Sequence, residues 1–551
     1  MIHSPLLFDR KTKIILLLII LIASFFRFLN LNWDLGHFFH PDERNIANAV
    51  SQIQLFSQMD PKFYAYGGFV IYLYKLTADI LVIVLHNANI AHDWGWINII
   101  GRSYSAFFST LTILPLYFLA SKIFNKKIGL IASIFYALNV SSIQTAHFST
   151  TENLLTFLIT LITCLAILFY EHPSLKKSLL IGVVIGIAVA TKTTGISFVI
   201  APFLVLAILF VRKKLSIKNS TCYSLLIVIG GFITFCLFSP YTFLNYSKFM
   251  ESMHYENSVV LGTNPVVYTL QFLHTPSYLF QLKNILWQFG FFAIIAISGT
   301  VVTFYKEIRK KHWLFIIFIS FPAFYFLYVG SWYTKFNRYM IPIFPFIIIC
   351  GANLLYLITK RYHRLGSILI AAFILVSGIY ATAFLSIYTH EQTRISTSKW
   401  IYSHIPDNNF ILSEHWDDGQ PIPLSEGSPE KYQTLSLAIY DEDNENKATY
   451  YADYLSQADY LTINSRRLYG TLLHLPDRYP LTKRYYELLF SEKLGYQKVA
   501  EFSSYPQLFG ITLNDDSAEE TFQVYDHPKT FIFKNTSHYS QDEIKAILQA
   551  K

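Results

Sequence analysis

The chain has 551 residues, of which 53% are hydrophobic and only 15% are charged, and its mean hydropathy is +0.36. A soluble protein usually carries about 25% charged residues, so this composition excludes an ordinary soluble enzyme and predicts a membrane protein. The charge is unevenly divided. Residues 1–389 hold 29 basic and 12 acidic residues, a net charge of +17, whereas residues 390–551 hold 15 basic and 24 acidic residues, a net charge of −9.

The basic residues lie in short clusters between apolar runs, which is the pattern that orients a membrane protein and not that of a nucleic-acid-binding surface. The four cysteines all lie inside apolar runs: Cys164, Cys222, Cys236 and Cys350. The sequence after residue 389 therefore has neither a disulfide framework nor a cysteine-ligated zinc site.

Apolar runs of about 17–25 residues are long enough to cross a bilayer. We predict eleven transmembrane helices, the first of them retained and not cleaved as a signal peptide, at 13–31, 100–121, 128–146, 152–170, 178–193, 195–211, 221–241, 285–305, 312–330, 338–358 and 366–388. The run from 178 to 211 is interrupted by the polar sequence Thr191-Lys192-Thr193-Thr194-Gly195. Because one helix of that length would overspan the bilayer, we expect a break there.

The segment 67–86 is apolar, but Lys75 and Asp79 would be costly in the middle of a bilayer. If this segment lies along the outer surface as an interfacial helix, every strong Lys/Arg cluster falls on the cytoplasmic side. We therefore predict a cytoplasmic N-terminus in the plasma membrane, with outer loops at 32–99 and 242–284.

Residues 390–551 are predicted to form an extracytoplasmic soluble domain with a mixed α/β fold, following the transmembrane domain 1–389. Alternating apolar residues predict strands within 408–418, 458–467, 496–502 and 528–535, and helical periodicity predicts helices at 397–405 and 482–494.

The densest polar sequence beside the membrane is His40-Pro41-Asp42-Glu43-Arg44, just after the first helix. Neighbouring carboxylates repel each other, so one of the pair often has a raised pKa and accepts a proton near neutral pH. A solvated loop with a turn at Pro41 explains the same residues without any catalytic role.

A second polar cluster runs from His147 to Asn153 on the same predicted side. Glu152 opens a helix, where the helix dipole favours a carboxylate, and Thr150 or Thr151 could cap that helix. Capping needs no enzyme. His147 and Glu152, together with Asp42, also have the ligand chemistry of a divalent-metal site.

Basic residues are scarce on the predicted outer side, where Arg102, Lys192 and Arg338 lie at the ends of helices. Snorkelling of the side chain to lipid head groups explains any one of them. Several together oppose the usual orientation of charge, and they predict an anion site such as a phosphate held by Arg and Lys.

These motifs resemble the GT-C glycosyltransferases, in particular the protein O-mannosyltransferases and the lipid A aminoarabinose transferases. The resemblance extends over roughly residues 13–350 and rests on HPDE after the first helix, SYSAFFSTLTILPLYFLASKIF, GLIASIFYALNVSSIQTAHFSTTENLLTFL, ATKTTGISF and NRYMIPIFPF. It implies a polytopic α-helical fold and an enzyme that transfers a sugar from a polyprenyl-phosphate carrier at the outer face of the membrane.

Position by position, the resemblance implies that Asp42 is the catalytic base, with Glu43 beside it. Glu152 matches the acidic position of the second outer loop, and Lys192 and Arg338 match contacts to the carrier phosphate. The spacing from His147 to Glu152 departs from that of some relatives, so the pattern does not decide whether a divalent metal ion is a cofactor.

The chemistry is consistent with an inverting single displacement, which needs a base for the acceptor hydroxyl and cations for the departing phosphate. The sequence lacks a glycine-rich nucleotide loop beside a strand, as expected for a lipid-linked donor. A transporter or flippase is the alternative class, and a non-catalytic scaffold is a third. The sequence identifies neither the sugar nor the acceptor.

Overall fold

The computed structural model describes residues 9–550, and the chain divides into two compact units. The first comprises the chain up to Asn32 together with His40–Thr263 and Pro276–Leu385. The second comprises Trp33–Phe39, Asn264–Thr275 and the chain from Ser386 onward. The division at Ser386 lies close to the predicted limit at 389. Unlike the prediction, two segments of the predicted outer loops belong to the second unit.

The first unit is helical and its long apolar helices identify a multi-pass membrane protein. Its α-helices are Arg10–Phe28, Pro41–Gln52, Gly68–Leu85, Trp94–Leu111, Ile113–Ile123, Lys126–Ala137, Val140–Ala146, Glu152–Glu171, Leu175–Thr191, Ile200–Val211, Ile217–Phe238, Tyr241–Leu244, Tyr246–Leu261, Leu279–Phe289, Phe292–Arg309, Trp313–Val329, Phe344–Arg361 and His363–Leu385. Short 3-10 helices occur at Ala88–Ala91, Thr193–Val199 and Asn337–Ile343.

Every predicted transmembrane segment coincides with helical structure, but the predicted number of eleven is not confirmed. Within residues 9–550, seven helices are long and apolar enough to span a membrane, or eight if the bent pair Lys126–Ala137 and Val140–Ala146 forms one span. The difference arises partly from short helices, because Leu175–Thr191 and Trp313–Val329 have only 17 residues each.

The helix Gly68–Leu85, which the sequence predicted to lie on the membrane surface, is among those seven. Its two charged residues neutralise each other, since the Lys75 ammonium lies 2.9 Å from the carboxylate of Asp79. Lys75 is also only 3% exposed. The cost of isolated charges, on which the surface assignment rested, therefore does not apply to this helix.

The predicted break after Thr191 is confirmed, and Gly67 from the predicted outer loop 32–99 contacts it. Lys192 has an extended backbone (φ −157°, ψ 137°) between the helix Leu175–Thr191 and the 3-10 helix Thr193–Val199. The Gly67 N–H donates a hydrogen bond of 3.0 Å to the carbonyl of Thr191. A Cβ atom on Gly67 would lie 2.0 Å from the carbonyl oxygen of Ala190, so this approach requires glycine.

The second unit contains a five-stranded mixed sheet, and the four predicted strands and both predicted helices are present in it. The strands are β1 (Phe410–Glu414), β2 (Gln433–Leu437), β3 (Tyr460–Ile463), β4 (Tyr496–Phe502), β5 (Gln507–Leu508), β6 (Ile511–Thr512) and β7 (Thr530–Asn535). The sheet order is β2-β1-β3-β7-β4, with β5 and β6 forming a separate hairpin.

Strand β1 pairs in parallel with both β2 and β3, whereas β7 is antiparallel to β3 and β4. The α-helices of this unit are Thr393–His404, Glu445–Gln457, Tyr469–Leu472, Pro480–Phe490 and Gln541–Gln549. The core between them and the sheet is rich in tyrosine and leucine, and Leu270 from the segment Asn264–Thr275 is part of it. Strand β2 and the helix Glu445–Gln457 were not predicted.

Candidate active site

Asp42 lies in the first turn of the helix Pro41–Gln52, and the local sequence explains why the helix begins there. His40 is the N-cap, and its Nδ1 atom accepts a hydrogen bond of 3.2 Å from the Asp42 N–H. Pro41 occupies the first helical position, where a missing N–H costs nothing. The His40 ring is buried and lies 4.9 Å from the ring of Phe148. The acidic pair is therefore held in a defined cap and not in a free loop.

The carboxylate of Asp42 has two partners from distant parts of the sequence. The hydroxyl of Tyr66 donates a hydrogen bond of 2.9 Å to its Oδ2 atom. The guanidinium of Arg338, at the start of the 3-10 helix Asn337–Ile343, forms an ion pair with the same oxygen. Both charged side chains remain about one fifth exposed, 20% for Asp42 and 21% for Arg338, so that a ligand can reach them.

A second ion pair lies in the same site. The Lys192 ammonium is 3.6 Å from Oε1 of Glu152, the first residue of the helix Glu152–Glu171. It also lies over the rings of Tyr66 and Tyr339, at 5.1 and 5.8 Å from their centroids. Tyr66 therefore contacts both Asp42 and Lys192. The N-cap residue of the Glu152 helix, Thr151, makes no capping hydrogen bond through its side chain, so the predicted capping role is not seen there.

The other oxygen of Glu152, Oε2, is buried and has no hydrogen-bond partner within residues 9–550. A buried carboxylate oxygen without a donor is costly. It is therefore an acceptor of the site whose hydrogen-bonding capacity is not satisfied by the described side chains.

Glu43 and Arg102 form a fully buried pair, which differs from their predicted roles. Nε and Nη2 of Arg102 donate to the two oxygens of Glu43 at 2.8 and 2.7 Å. Oε1 of Glu43 also accepts from the Ser149 N–H at 2.6 Å, and Nη1 of Arg102 donates to the carbonyl of Leu31 at 2.7 Å. The exposure of both side chains is 1% or less. The pair joins three chain segments, and this geometry favours a structural role over contact with substrate.

His147, which was predicted as a metal ligand, bonds to backbone carbonyl groups and not to the two carboxylates of the site. Its Nδ1 and Nε2 atoms both lie 2.9 Å from backbone carbonyls, those of Ile143 and Leu29. Within residues 9–550 no group of three or more His, Cys, Asp or Glu side chains is arranged to hold a metal ion. The predicted set of His147, Glu152 and Asp42 therefore does not assemble, because the neighbours of the two carboxylates are Arg338 and Lys192.

The sequence predicted that one carboxyl of the pair Asp42 and Glu43 has a raised pKa, but the pKa of Asp42 is lowered. Burial lowers the pKa of His40 to about 4, so this residue is neutral at physiological pH. Burial alone would raise the pKa of Asp42, but Arg338 and the hydrogen bond from Tyr66 outweigh it and hold the pKa well below its usual range. Asp42 and Glu43 do not repel each other strongly, since each has its own arginine partner.

Tyr66, Tyr339 and Glu256 belong to the site and were not singled out from the sequence. Glu256 lies on the helix Tyr246–Leu261, within the predicted loop 242–284, and burial raises the pKa of its carboxyl. Nothing in the local sequence around Tyr66 signals a role, but its neighbour Gly67 marks a close backbone approach. Tyr339 directly follows Arg338 in the motif NRYMIPIFPF, which carried the family resemblance.

The sequence pattern of the dolichyl-phosphate-mannose-protein mannosyltransferase family matches residues 98–242. The archaeal oligosaccharyltransferase AglB from Archaeoglobus fulgidus, in complex with an inhibitory peptide and a dolichol-phosphate, matches this structure at 14% identity with a TM-score of 0.51. That match covers 92% of this chain and 75% of the AglB chain. This chain has the GT-C fold.

ArnT from Cupriavidus metallidurans in the apo state matches at 12% identity with a TM-score of 0.48, covering 95% of this chain and 98% of its own. No curated protein sequence matches at a significant level. The matched range 98–242 includes Glu152 and Lys192, whereas Asp42 and Arg338 lie outside it.

Proposed function

We propose that this protein is a membrane glycosyltransferase that moves a sugar from a polyprenyl-phosphate carrier to an acceptor hydroxyl at the extracytoplasmic face. The observation that carries the proposal is the pairing of Asp42 with Arg338 beside Lys192 and Glu152. It places a carboxylate and two cations in one site. A displacement at the anomeric carbon needs these groups, because a proton must leave the acceptor while negative charge develops on the phosphate.

The donor phosphate is assigned to Arg338 and Lys192. A guanidinium binds phosphate oxygens through a planar fork, and an ammonium adds a compact charge. Both side chains are about one fifth exposed, which leaves their donor groups accessible to a ligand. The AglB structure is of a complex with a dolichol-phosphate, which supports a carrier of this chemical class.

Aromatic side chains beside Tyr66 surround a cavity of only about 10 Å³, so the isoprenoid chain of the donor is proposed to lie against these rings and not inside the cavity. Its lining includes Phe63, Tyr64, Tyr66, Tyr72, Phe235 and Phe249. An isoprenoid chain is apolar and buries its surface favourably against such rings. Because Tyr66 contacts Asp42 and Lys192 and also belongs to this group of rings, a carrier lying against them would bring its phosphate toward the two cations.

Asp42 is proposed to act as the base, and donor binding is proposed to activate it. While Arg338 is paired with Asp42, the pKa of the carboxyl is held low and the group is a weak base. A phosphate that binds Arg338 competes for the guanidinium and lowers its attraction for Asp42. The carboxylate then becomes more basic when the donor is in place.

The transfer is a single displacement. The acceptor oxygen forms a bond to the anomeric carbon while its proton passes to a carboxylate oxygen of Asp42. The bond from that carbon to the phosphate oxygen breaks, and its electron pair stays on the polyprenyl phosphate. The configuration at the anomeric carbon is inverted. Arg338 and Lys192 stabilise the charge on the leaving phosphate.

A divalent metal ion does not fit the residues of this site. Asp42 and Glu152 each already have a cationic side chain as neighbour, and among the described residues the third carboxyl of the site, Glu256, does not form a metal-ligand group with them. Within the described chain no third ligand joins them. The two side-chain cations, Arg338 and Lys192, supply the positive charge that stabilises the departing phosphate.

The test is an assay of product with purified full-length protein in lipid nanodiscs. The protein is incubated with a panel of radiolabelled polyprenyl-phosphate monosaccharides and with protein, lipid and glycan acceptors bearing free hydroxyls. The proposal predicts a glycosylated product with inverted anomeric configuration from at least one donor. Movement of a lipid-linked sugar across the bilayer without any glycosylated product would instead support a flippase.

A further inference from the structure

The segment Trp33–Phe39 directly precedes His40, the cap of the helix that carries Asp42, yet it belongs to the second unit. Trp33 and Phe39 are buried, at 4% and 3% exposure. The carboxylate of Asp34 organises the segment by accepting N–H bonds from Gly36 at 3.2 Å and Phe38 at 3.1 Å. The result is a turn with an aromatic side chain at each end.

Arg394 holds the Phe39 end of this turn. The centre of its guanidinium lies 5.2 Å from the centroid of the Phe39 ring. The guanidinium is itself fixed, since it donates to the carbonyl of Val524 at 3.0 Å and to the carboxylate of Asp417 at 2.9 Å. Arg394 is only 1% exposed, and a cation–π contact is strongest when it is shielded from water.

Tyr388 holds the Trp33 end. The two rings lie 6.0 Å apart in an edge-to-face arrangement, which aromatic pairs prefer. The Tyr388 hydroxyl donates a hydrogen bond of 2.8 Å to Asp526. Asp526 in turn contacts the buried ring of His527 at 2.5 Å. The turn therefore rests on side chains that are themselves held by buried charges.

Asp417, the ion-pair partner of Arg394, lies at an edge of the sheet where ligands bind in many related folds. Asp417 follows the carboxyl end of β1, which lies between the parallel strands β2 and β3. In open α/β sheets the carboxyl ends of the strands, at the point where the strand order reverses, form the usual ligand-binding edge. In this protein a segment of the first outer loop reaches the residues of that edge.

We infer that the second unit anchors the segment that leads into the Asp42 helix, because Arg394 contacts Phe39 and Tyr388 contacts Trp33. Arg394 is thereby a positioning residue for sugar transfer. The catalytic part of this inference rests on the proposed function, whereas the anchoring does not. Phe39 is three residues from Asp42, so a loss of order at Phe39 displaces the carboxylate. Misplacement of a reacting group by about 1 Å can cost roughly 100-fold in rate.

The anchoring is tested by hydrogen–deuterium exchange in the full-length protein, read from peptides covering residues 33–46. Arg394→Ala is expected to raise the exchange rate of these peptides by roughly tenfold, the scale of one shielded cation–π contact. Lys447→Ala is the matched control, because Lys447 also forms a buried ion pair and a cation–π contact in this unit, with Asp443 and Tyr451. It should leave the peptides unchanged.

Phe39→Leu provides a second variant that leaves every ion pair of Arg394 in place. It should also speed exchange of residues 33–46, whereas Phe39→Tyr, which keeps the aromatic face, should restore the wild-type rate. Unchanged exchange in both Arg394→Ala and Phe39→Leu would overturn the anchoring. An equal increase in Lys447→Ala would also overturn it, because that result would indicate a general loosening of the second unit.

The catalytic part is tested by steady-state transfer. Arg394→Ala and Phe39→Leu should lower kcat by up to about 100-fold with the KM for the donor little changed, since the phosphate contacts are intact. Their effects should not add in the double variant, because both remove the same contact. A raised donor KM with normal kcat would contradict the positioning role. If the wild-type protein transfers no sugar, the proposed function fails, while the exchange experiment still decides the anchoring.

Discussion

The carboxylate of Asp42 is paired with the guanidinium of Arg338, although the two residues are 296 positions apart in the sequence. The hydroxyl of Tyr66 donates to the same carboxylate oxygen at 2.9 Å. A carboxylate held in this way is fully ionised but a weak base. The partner that weakens it is also the residue best suited to bind a phosphate, which links acceptor activation to the arrival of the donor.

Asp42→Asn is expected to lower the transfer rate by about 10²–10⁴, the usual contribution of general-base catalysis, without loss of donor binding. Asparagine keeps the shape of the side chain but cannot take the acceptor proton. Asp60→Asn is the matched control, because Asp60 lies in the same outer loop and also accepts from a tyrosine hydroxyl, that of Tyr64, at 2.7 Å. The assay follows the glycosylated product. More than about a tenth of the wild-type rate in Asp42→Asn would contradict the base assignment.

Arg338→Ala and Lys192→Ala are each expected to weaken donor binding by roughly 10- to 150-fold, because a charge-assisted contact to phosphate contributes about 1.5–3 kcal/mol. Titration with a non-transferable polyprenyl phosphate measures this. Lys248→Ala is the control, since Lys248 is an exposed residue of the long outer loop paired with Glu251. Unchanged donor affinity in both variants would contradict phosphate binding. It would indicate instead that Arg338 and Lys192 extend toward lipid head groups.

Arg102→Ala is expected to destabilise the fold and not to alter donor affinity. It would leave the carboxylate of Glu43 buried without its charge partner, at a cost of about 3–5 kcal/mol. Lys122→Ala is the comparison, because the pair of Lys122 with Glu171 is about one quarter exposed and contributes less than about 1 kcal/mol. The folded fraction that survives heating in detergent measures the difference. If the Arg102→Ala protein is stable but binds the donor weakly, Arg102 contacts the carrier phosphate after all.

The stability of the second unit is expected to fall as pH rises above neutrality. Burial alone would lower the pKa of His527, but Asp526 and Asp515 outweigh it and raise the pKa from 6.5 to about 10. The protonated ring is thus favoured in the folded state, so its contribution is complete below pH 6.5 and is lost as pH approaches 10.

Hydrogen exchange of strand β7 in the full-length protein, corrected for its intrinsic pH dependence, measures this loss. His527→Gln should abolish most of the dependence. Glu414 acts in the same direction, because burial raises the pKa of its carboxyl from 4.5 to about 8. Glu414→Gln separates the two contributions. Protection of β7 that increases between pH 7 and 9 in the wild-type protein would refute the assignment.

The membrane orientation can be tested by labelling single cysteines in intact cells after the four native cysteines are replaced. We expect an impermeant reagent to reach position 62 in the first outer loop and position 492 in the second unit, but not position 213. All three positions are exposed. The buried Lys75 is unsuitable because the reagent could not reach it on either side. Labelling of position 213 alone would reverse the proposed topology.

The sequence predicted the helical class, the break at Lys192 and the strands that follow residue 389, because each depends on local periodicity or on a local polar cluster. It did not predict that Trp33–Phe39 and Asn264–Thr275 belong to the second unit. In the sequence, the aromatic residues of these two segments do not differ from those of the rest of the predicted loops 32–99 and 242–284. Which unit buries them is decided by tertiary contacts that leave no periodic pattern.

The residues of the candidate site could likewise be predicted only in part, because their burial depends on tertiary contacts. Asp42, Glu152, Lys192 and Arg338 were predicted from their chemistry and from the family resemblance, and the structure brings them together. Arg102 and Glu43 have the same chemistry but are buried against each other. Residue type and spacing alone do not separate a buried ion pair from an accessible one, because the burial comes from helices distant in the sequence.

In the proposed transfer, the two ion pairs of the site also affect how the spent carrier leaves after each reaction. Arg338 and Lys192 must leave their carboxylate partners to bind a phosphate, so their preference depends on how much charge the phosphate brings. The sugar-linked carrier is a phosphodiester with one negative charge, whereas the spent carrier is a monoester with a charge of about −1.5 to −2 at neutral pH. The spent carrier therefore competes better for both cations than the fresh one. We expect strong product inhibition by polyprenyl phosphate.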